Sequence, residues 1–150
     1  MPSQVQKAKP LLERGFVTAL LLNFVWINFS EVVRYFAFVM PMMREALSMV
    51  PDAAPMNLPV FMIWGVWDTI LVFAATAICW MIQERFGREP MTVVLSGTFV
   101  WATIFVILWL GLWNMNLATA EVVLVALPLA WLEMVVAAFI VRWAMGSDEQ

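Results

Sequence analysis

Residues 15–39 read GFVTALLLNFVWINFSEVVRYFAFV. As a helix rising 1.5 Å per residue, this stretch reaches about 37 Å, more than the roughly 30 Å of hydrocarbon in a bilayer. Its interruptions are Asn23, Asn28, Glu31 and Arg34, in a run otherwise apolar enough to span. A charged side chain at mid-bilayer costs about 2.5–3.5 kcal/mol on insertion scales, so such groups face a bundle interior and mark a site.

Three more stretches repeat the pattern, at about 59–82, 91–113 and 122–143. The second carries Asp68 and the fourth carries Glu133. With 64% hydrophobic and 13% charged residues in 150, composition points to a chain that lives in lipid. The expected fold is all-α: one membrane domain, a four-transmembrane-helix bundle covering residues 1–150. The first connection, 40–58, contains Pro41, Pro51 and Pro55. It is read as an external loop, irregular or with a short amphipathic helix from Met42 to Met49. Gln83 to Pro90 reads as a polar turn, and Asn114 to Glu121 as a short joint.

Basic residues sort by side. Lys7, Lys9, Arg14, Arg85, Arg88 and Arg142 fall on one side and Arg44 on the other, which predicts cytoplasmic N- and C-termini. The expected location is a plasma membrane, as a multi-pass protein of a bacterial inner membrane. The first run is too long for the apolar region of a signal peptide, and no small-residue cleavage site follows it.

What the chain lacks narrows its chemistry. It has no histidine and one cysteine, Cys79, so common zinc and haem sites, intramolecular disulfides and the usual general base are not expected. Six glycines stand singly, without a phosphate-binding loop, and a net charge of -3 with no basic cluster argues against a nucleic-acid partner. Neither a metal site nor a cofactor is expected, and no enzymatic activity. The methionines near the 40–58 loop read as gap-fillers rather than soft-metal ligands.

At 100° per residue, Ile27, Glu31, Arg34, Tyr35 and Phe38 share one face of the first helix, with Asn23 and Asn28 at its margins. Asp68 shares a face with Trp64, Gly65, Ala75 and Cys79, and Glu133 with Ala126, Ala130 and Ala137. Thr92, Ser96, Thr103 and Asn114 line one side of the third helix. Small residues beside an acid let helices approach closely. Trp26, Trp101 and Trp131 fall near mid-membrane and read as packing residues. Pro128 is expected to kink the fourth helix one turn before Glu133. By depth along their helices, the four charged residues can meet at one level, where a protonated Glu133 is expected to donate to Asn23 or a hydroxyl.

Glu31 and Arg34, spaced i, i+3, can neutralise one another, and Asp68 can complete a salt-bridged knot that only holds the bundle together. Stoichiometry is the counter-argument, because three acids against one base leave two carboxylates without a cation. The sequence therefore suggests a proton- or cation-coupled transporter or channel subunit. Asp68, Glu133 and Glu31 form its proton- or cation-binding site, Arg34 the tuning or gating group, and Asn23, Asn28, Tyr35, Ser96 and Thr103 its polar lining. The second reading is a non-catalytic accessory subunit of a larger membrane complex. Beyond the lipid bilayer, the expected partners are further copies of the chain or a larger membrane protein.

Overall fold

The computed structural model describes residues 14–50, 52–53 and 55–147. Lys7 and Lys9 lie outside the described residues. Four helices are long and apolar enough to cross a membrane: α1 (Arg14–Ala46), α2 (Leu58–Phe86), α3 (Pro90–Asn114) and α4 (Ala120–Gly146). No strand occurs among the described residues.

Local chemistry sets the ends. Asn57 caps α2, its side-chain oxygen accepting from the Val60 amide at 3.1 Å, and Pro59 sits in the first turn, where a missing N–H costs nothing. Gly87, at φ 91°, ends α2 in a conformation that favours glycine. Pro90 opens α3 directly after the short joint 87–89. Asn116, at φ 57°, turns the chain between α3 and α4.

Two departures from the sequence expectation share one cause. α1 does not stop at Pro41 but runs on to Ala46, and it widens to a π turn at Tyr35–Val39 immediately before the proline. A helical proline lacks the N–H for the carbonyl four residues back and crowds that carbonyl, here Ala37. A wide turn containing Ala37 gives the ring room. The same turn delays the buried face by one residue: Arg34 is followed inside by Val39, whereas Phe38 points outward. In α3 a π turn at Ala102–Val106 does likewise, so the buried positions run Val93, Ser96, Gly97, Val100 and then Phe105 and Trp109. Sequence arithmetic at a constant 100° cannot anticipate either shift.

α2 extends one turn past Ile82. Gln83, read as part of a polar turn, is instead fully buried. α4 remains a continuous helix through Pro128.

The helices run up and down in alternation, which gathers Arg14, Arg85, Arg88 and Arg142 at one end and Arg44 at the other. α4 is the hub, packed against α1, α2 and α3. Ala126, Ala130 and Ala137 are buried along it, as the small-residue face predicts, and Ala138 is buried beside them. Gly97 of α3 meets α4 most closely: a Cβ there would lie 2.6 Å from the Met134 carbonyl oxygen. Phe16 packs edge-on against Trp80, with ring centroids 5.5 Å apart, closing the end that holds Arg14.

Candidate functional site

Glu31, Arg34 and Glu133 come together in the bundle interior, all nine-tenths or more buried. Arg34 forms an ion pair with Glu31 one turn earlier on α1. Its other terminal nitrogen, Nη1, lies 3.6 Å from Glu133 Oε2. The guanidinium also stands over the Phe105 ring, 4.9 Å from its centroid, a cation–π contact strengthened where water is excluded. The π turn of α3 therefore turns an aromatic face, not Thr103, toward the only guanidinium in the cluster.

Glu133 receives the Ser30 hydroxyl on Oε2 at 2.7 Å. A hydroxyl partner is present, but it donates to Glu133 rather than accepting from it, and Asn23 is not a partner of this carboxyl. Asn23 donates instead to Thr76 Oγ1 at 3.0 Å and to the Ala137 carbonyl at 3.4 Å. Asp68 of α2 is also buried and within electrostatic reach of Glu31 and Arg34, although no ion pair links it to them. Two carboxylates each retain a buried oxygen without a hydrogen-bond partner, Oδ1 of Asp68 and Oε1 of Glu133. One guanidinium thus faces three acids.

Toward the end that holds Arg14, further polar side chains are set into an otherwise apolar interior. Asn23 and Thr76 each sit eight residues from the nearest acid of their own helix, about 12 Å further along the bundle. Beyond them Gln83 donates to the Ala138 carbonyl at 2.9 Å and to Ser96 Oγ at 3.3 Å. Asn23, Thr76, Gln83 and Ser96 are all fully buried. Toward the opposite end, a cleft of about 480 Å³ opens between α1, α2 and the outer half of α3, with Glu31 and Arg34 among its lining residues.

The remaining expected lining residues fall elsewhere. Tyr35 packs on Trp64 at the cleft, with ring centroids 5.2 Å apart. Asn28 is half-buried and donates to the Phe24 carbonyl of its own helix at 2.8 Å. Thr103 is exposed and bonds back to the Phe99 carbonyl at 2.8 Å. Such a back-bond lets a hydroxyl face an apolar medium without an unmet donor. Gly65, expected beside Asp68, also lies outward.

Four contributors escaped the sequence reading: Ser30, Thr76, Gln83 and Phe105. Thr76 had a usable signal, being two turns from Asp68 on one face. Phe105 had none, because its inward placement depends on the π turn. Trp26, Trp101 and Trp131 use their indole N–H groups between helices: Trp26 to the Glu133 carbonyl at 3.0 Å, Trp101 to the Leu127 carbonyl at 2.8 Å, and Trp131 to Thr98 Oγ1 at 2.9 Å. Among the described residues, no group of three or more His, Cys, Asp and Glu side chains is arranged to hold a metal ion.

No family model, curated protein or solved structure matches this chain. Its class therefore rests on fold and site: an all-helical chain with four candidate membrane spans around a buried, acid-rich charge cluster.

Proposed function

We propose that this chain is a proton- or cation-translocating membrane protein, a transporter or channel subunit, in the plasma membrane of a bacterium. Its termini are cytoplasmic and its 47–57 connection faces outward. The observation that carries the reading is the acid surplus: Asp68 and Glu133 are buried beside one guanidinium that is already paired with Glu31, and each leaves an oxygen unsatisfied. A buried ion pair alone needs one acid per base, so the extra carboxylates suit a site that takes up and releases a proton or small cation. Asp68 and Glu133 are the exchanging groups. Glu31 and Arg34 hold the site's charge balance, and Ser30 fixes Glu133.

Access is supported on both sides. The cleft leads to Glu31 and Arg34 from the loop end, and Asn23, Thr76, Gln83 and Ser96 provide polar rungs toward the other end. Because four helices give little room for a private pathway, the working unit is a homo-oligomer.

Proton flux into liposomes containing the purified protein, driven by an imposed membrane potential and followed with an internal pH dye, tests the reading. Asp68→Asn and Glu133→Gln should each reduce flux at least tenfold while the protein stays folded and abundant. Wild-type flux no greater than that of empty liposomes, under both proton and sodium gradients, rejects it. Variants that fail to accumulate, rather than fail to conduct, would place the cluster in assembly and favour the accessory-subunit reading.

A further inference from the structure

The Glu31 carboxylate is only half engaged. Its Oε1 is paired with Arg34, whereas Oε2 makes no hydrogen bond among the described residues and is not one of the fully enclosed polar atoms without a partner. Oε2 therefore keeps accessible surface, on a residue that is more than nine-tenths buried and lines the cleft of about 480 Å³. A carboxylate oxygen without a partner beside an apolar cavity is unfavourable, so the cleft suits an occupant that brings positive charge to it.

Arg34 also lines the cleft, but the cluster engages its charge. Nη2 is paired with Glu31, Nη1 is enclosed 3.6 Å from Glu133 Oε2, and the guanidinium lies over the Phe105 ring. Three acids face this one base, so the floor of the cleft is negative whenever Asp68 or Glu133 is ionised. An anionic occupant is repelled there, and a neutral hydrocarbon leaves Oε2 unmet. The walls decide between kinds of cation. Tyr35 and Trp64 form an aromatic corner, with ring centroids 5.2 Å apart and planes inclined by 58°, and Trp67 and Trp109 also line the cleft. Ring faces attract a cation, most strongly where water is excluded. Most of the remaining lining is aliphatic or methionine. Such walls offer a hydrated inorganic ion no replacement for its water shell, whereas a weakly hydrated organic cation needs none. The volume lies within the range of small-molecule sites, which are mostly apolar with a few fixed polar groups. Ile63, Trp67 and Leu108 line the cleft and are also exposed on the bundle's outer surface, so the opening is lateral, toward lipid.

We infer that this cleft binds an apolar organic cation of the alkylammonium type, its charged head beside Glu31 Oε2 and the rings of Tyr35, Trp64 and Trp67, its apolar part directed outward between α2 and α3. The inference gives the proposed translocation a substrate class and rests on that reading for transport alone, since occupancy of the cleft does not require flux.

The test is equilibrium dialysis of benzyltrimethylammonium, labelled with carbon-14, against the full chain in phosphatidylcholine nanodiscs and against protein-free nanodiscs. Neopentylbenzene, which has the same shape with carbon in place of the charged nitrogen, is the competitor. Expected is saturable uptake of one ammonium per chain that a tenfold excess of neopentylbenzene does not displace. Glu31→Gln removes the charge and should weaken binding at least tenfold. Trp67→Leu removes one half-exposed aromatic face and should weaken it about fivefold, the worth of one cation–π contact. Leu112→Trp fills the cleft with the charges intact and should abolish binding. Circular dichroism and elution volume verify that the variants remain folded, and the competition, which uses the unaltered protein, decides even where they do not. Uptake no greater than that of protein-free nanodiscs, displacement by neopentylbenzene, or saturable binding that Glu31→Gln and Leu112→Trp both leave intact overturns the inference. No flux is read, so a failure here leaves the translocation reading standing, and a failure of flux with saturable binding does the reverse.

Discussion

Ser30 on α1 donates its hydroxyl to Oε2 of Glu133 on α4 at 2.7 Å, the same oxygen that Arg34 approaches to 3.6 Å, while Oε1 has no partner. One oxygen of the carboxyl is thus held and the other is free to change. Ser30→Ala should leave the fold intact at a cost of about 0.5–1.5 kcal/mol, the net worth of one hydrogen bond. The infrared carboxyl band assigned to Glu133 by comparison with Glu133→Gln should move. An unmoved band would mean that Ser30 does not fix this carboxyl.

Arg34 is the one cation among three acids, so its removal leaves buried negative charge uncompensated. Arg34→Gln is expected to destabilise the bundle by about 3–5 kcal/mol. Glu31→Gln in the same chain should recover part of that loss, because one of the stranded charges disappears with it. Thermal denaturation in detergent of both single variants and the double variant measures the coupling. Simple additivity would show that the pair seen in the structure contributes no mutual stabilisation.

The two asparagines of α1 should behave differently. Asn23 is fully buried and bridges α1 to Thr76 of α2 and to the Ala137 carbonyl of α4. Asn23→Val should cost about 1–3 kcal/mol, because partners on two other helices lose a donor. Asn28 bonds only its own helix, and Asn28→Val should stay within about 0.5 kcal/mol. Denaturation curves of the two variants check the contrast.

Gly97 marks the tightest helix contact. An added methyl group would sit 2.6 Å from the Met134 carbonyl oxygen and 2.9 Å from Val135 Cα, both backbone atoms that cannot swing aside. Gly97→Ala should therefore cost about 1–3 kcal/mol through forced separation of α3 from α4. Gly111 of the same helix, with open space around it, is the control, since Gly111→Ala should be neutral or slightly stabilising. Melting temperatures of the two variants in one detergent decide it.

Deleting Thr103, inside the π turn of α3, should be tolerated. The spacing from Val100 to Phe105 would shrink from five residues to four, so an ordinary α-helix would present the same inner face. Deleting Leu95, an exposed residue before the π turn, should instead rotate the rest of α3 by about 100° and break the packing. Monodisperse elution of the first deletion and aggregation of the second is the expected result.

Amino-acid order alone determined the class of this fold. Four apolar runs long enough to span, short polar joints, and one acid in the middle of the apolar run of each of α1, α2 and α4 are all one-dimensional patterns. The meeting of Glu31, Arg34 and Glu133 was legible too, because depth along a helix is proportional to residue number. The features that the sequence did not yield depend on small rotations and on partners far apart in the chain. The π turns at Tyr35–Val39 and Ala102–Val106 exchange Phe38 for Val39 and bring Phe105 rather than Thr103 inside. Gln83, which looks like turn material, is buried because α2 keeps its helix for another turn beside α4. Hydrogen bonds such as Ser30 to Glu133 and Asn23 to Thr76 join residues 103 and 53 positions apart. A polar side chain in an apolar run must find some partner, and its own sequence states that requirement. Which partner satisfies it was decided only when the four helices packed.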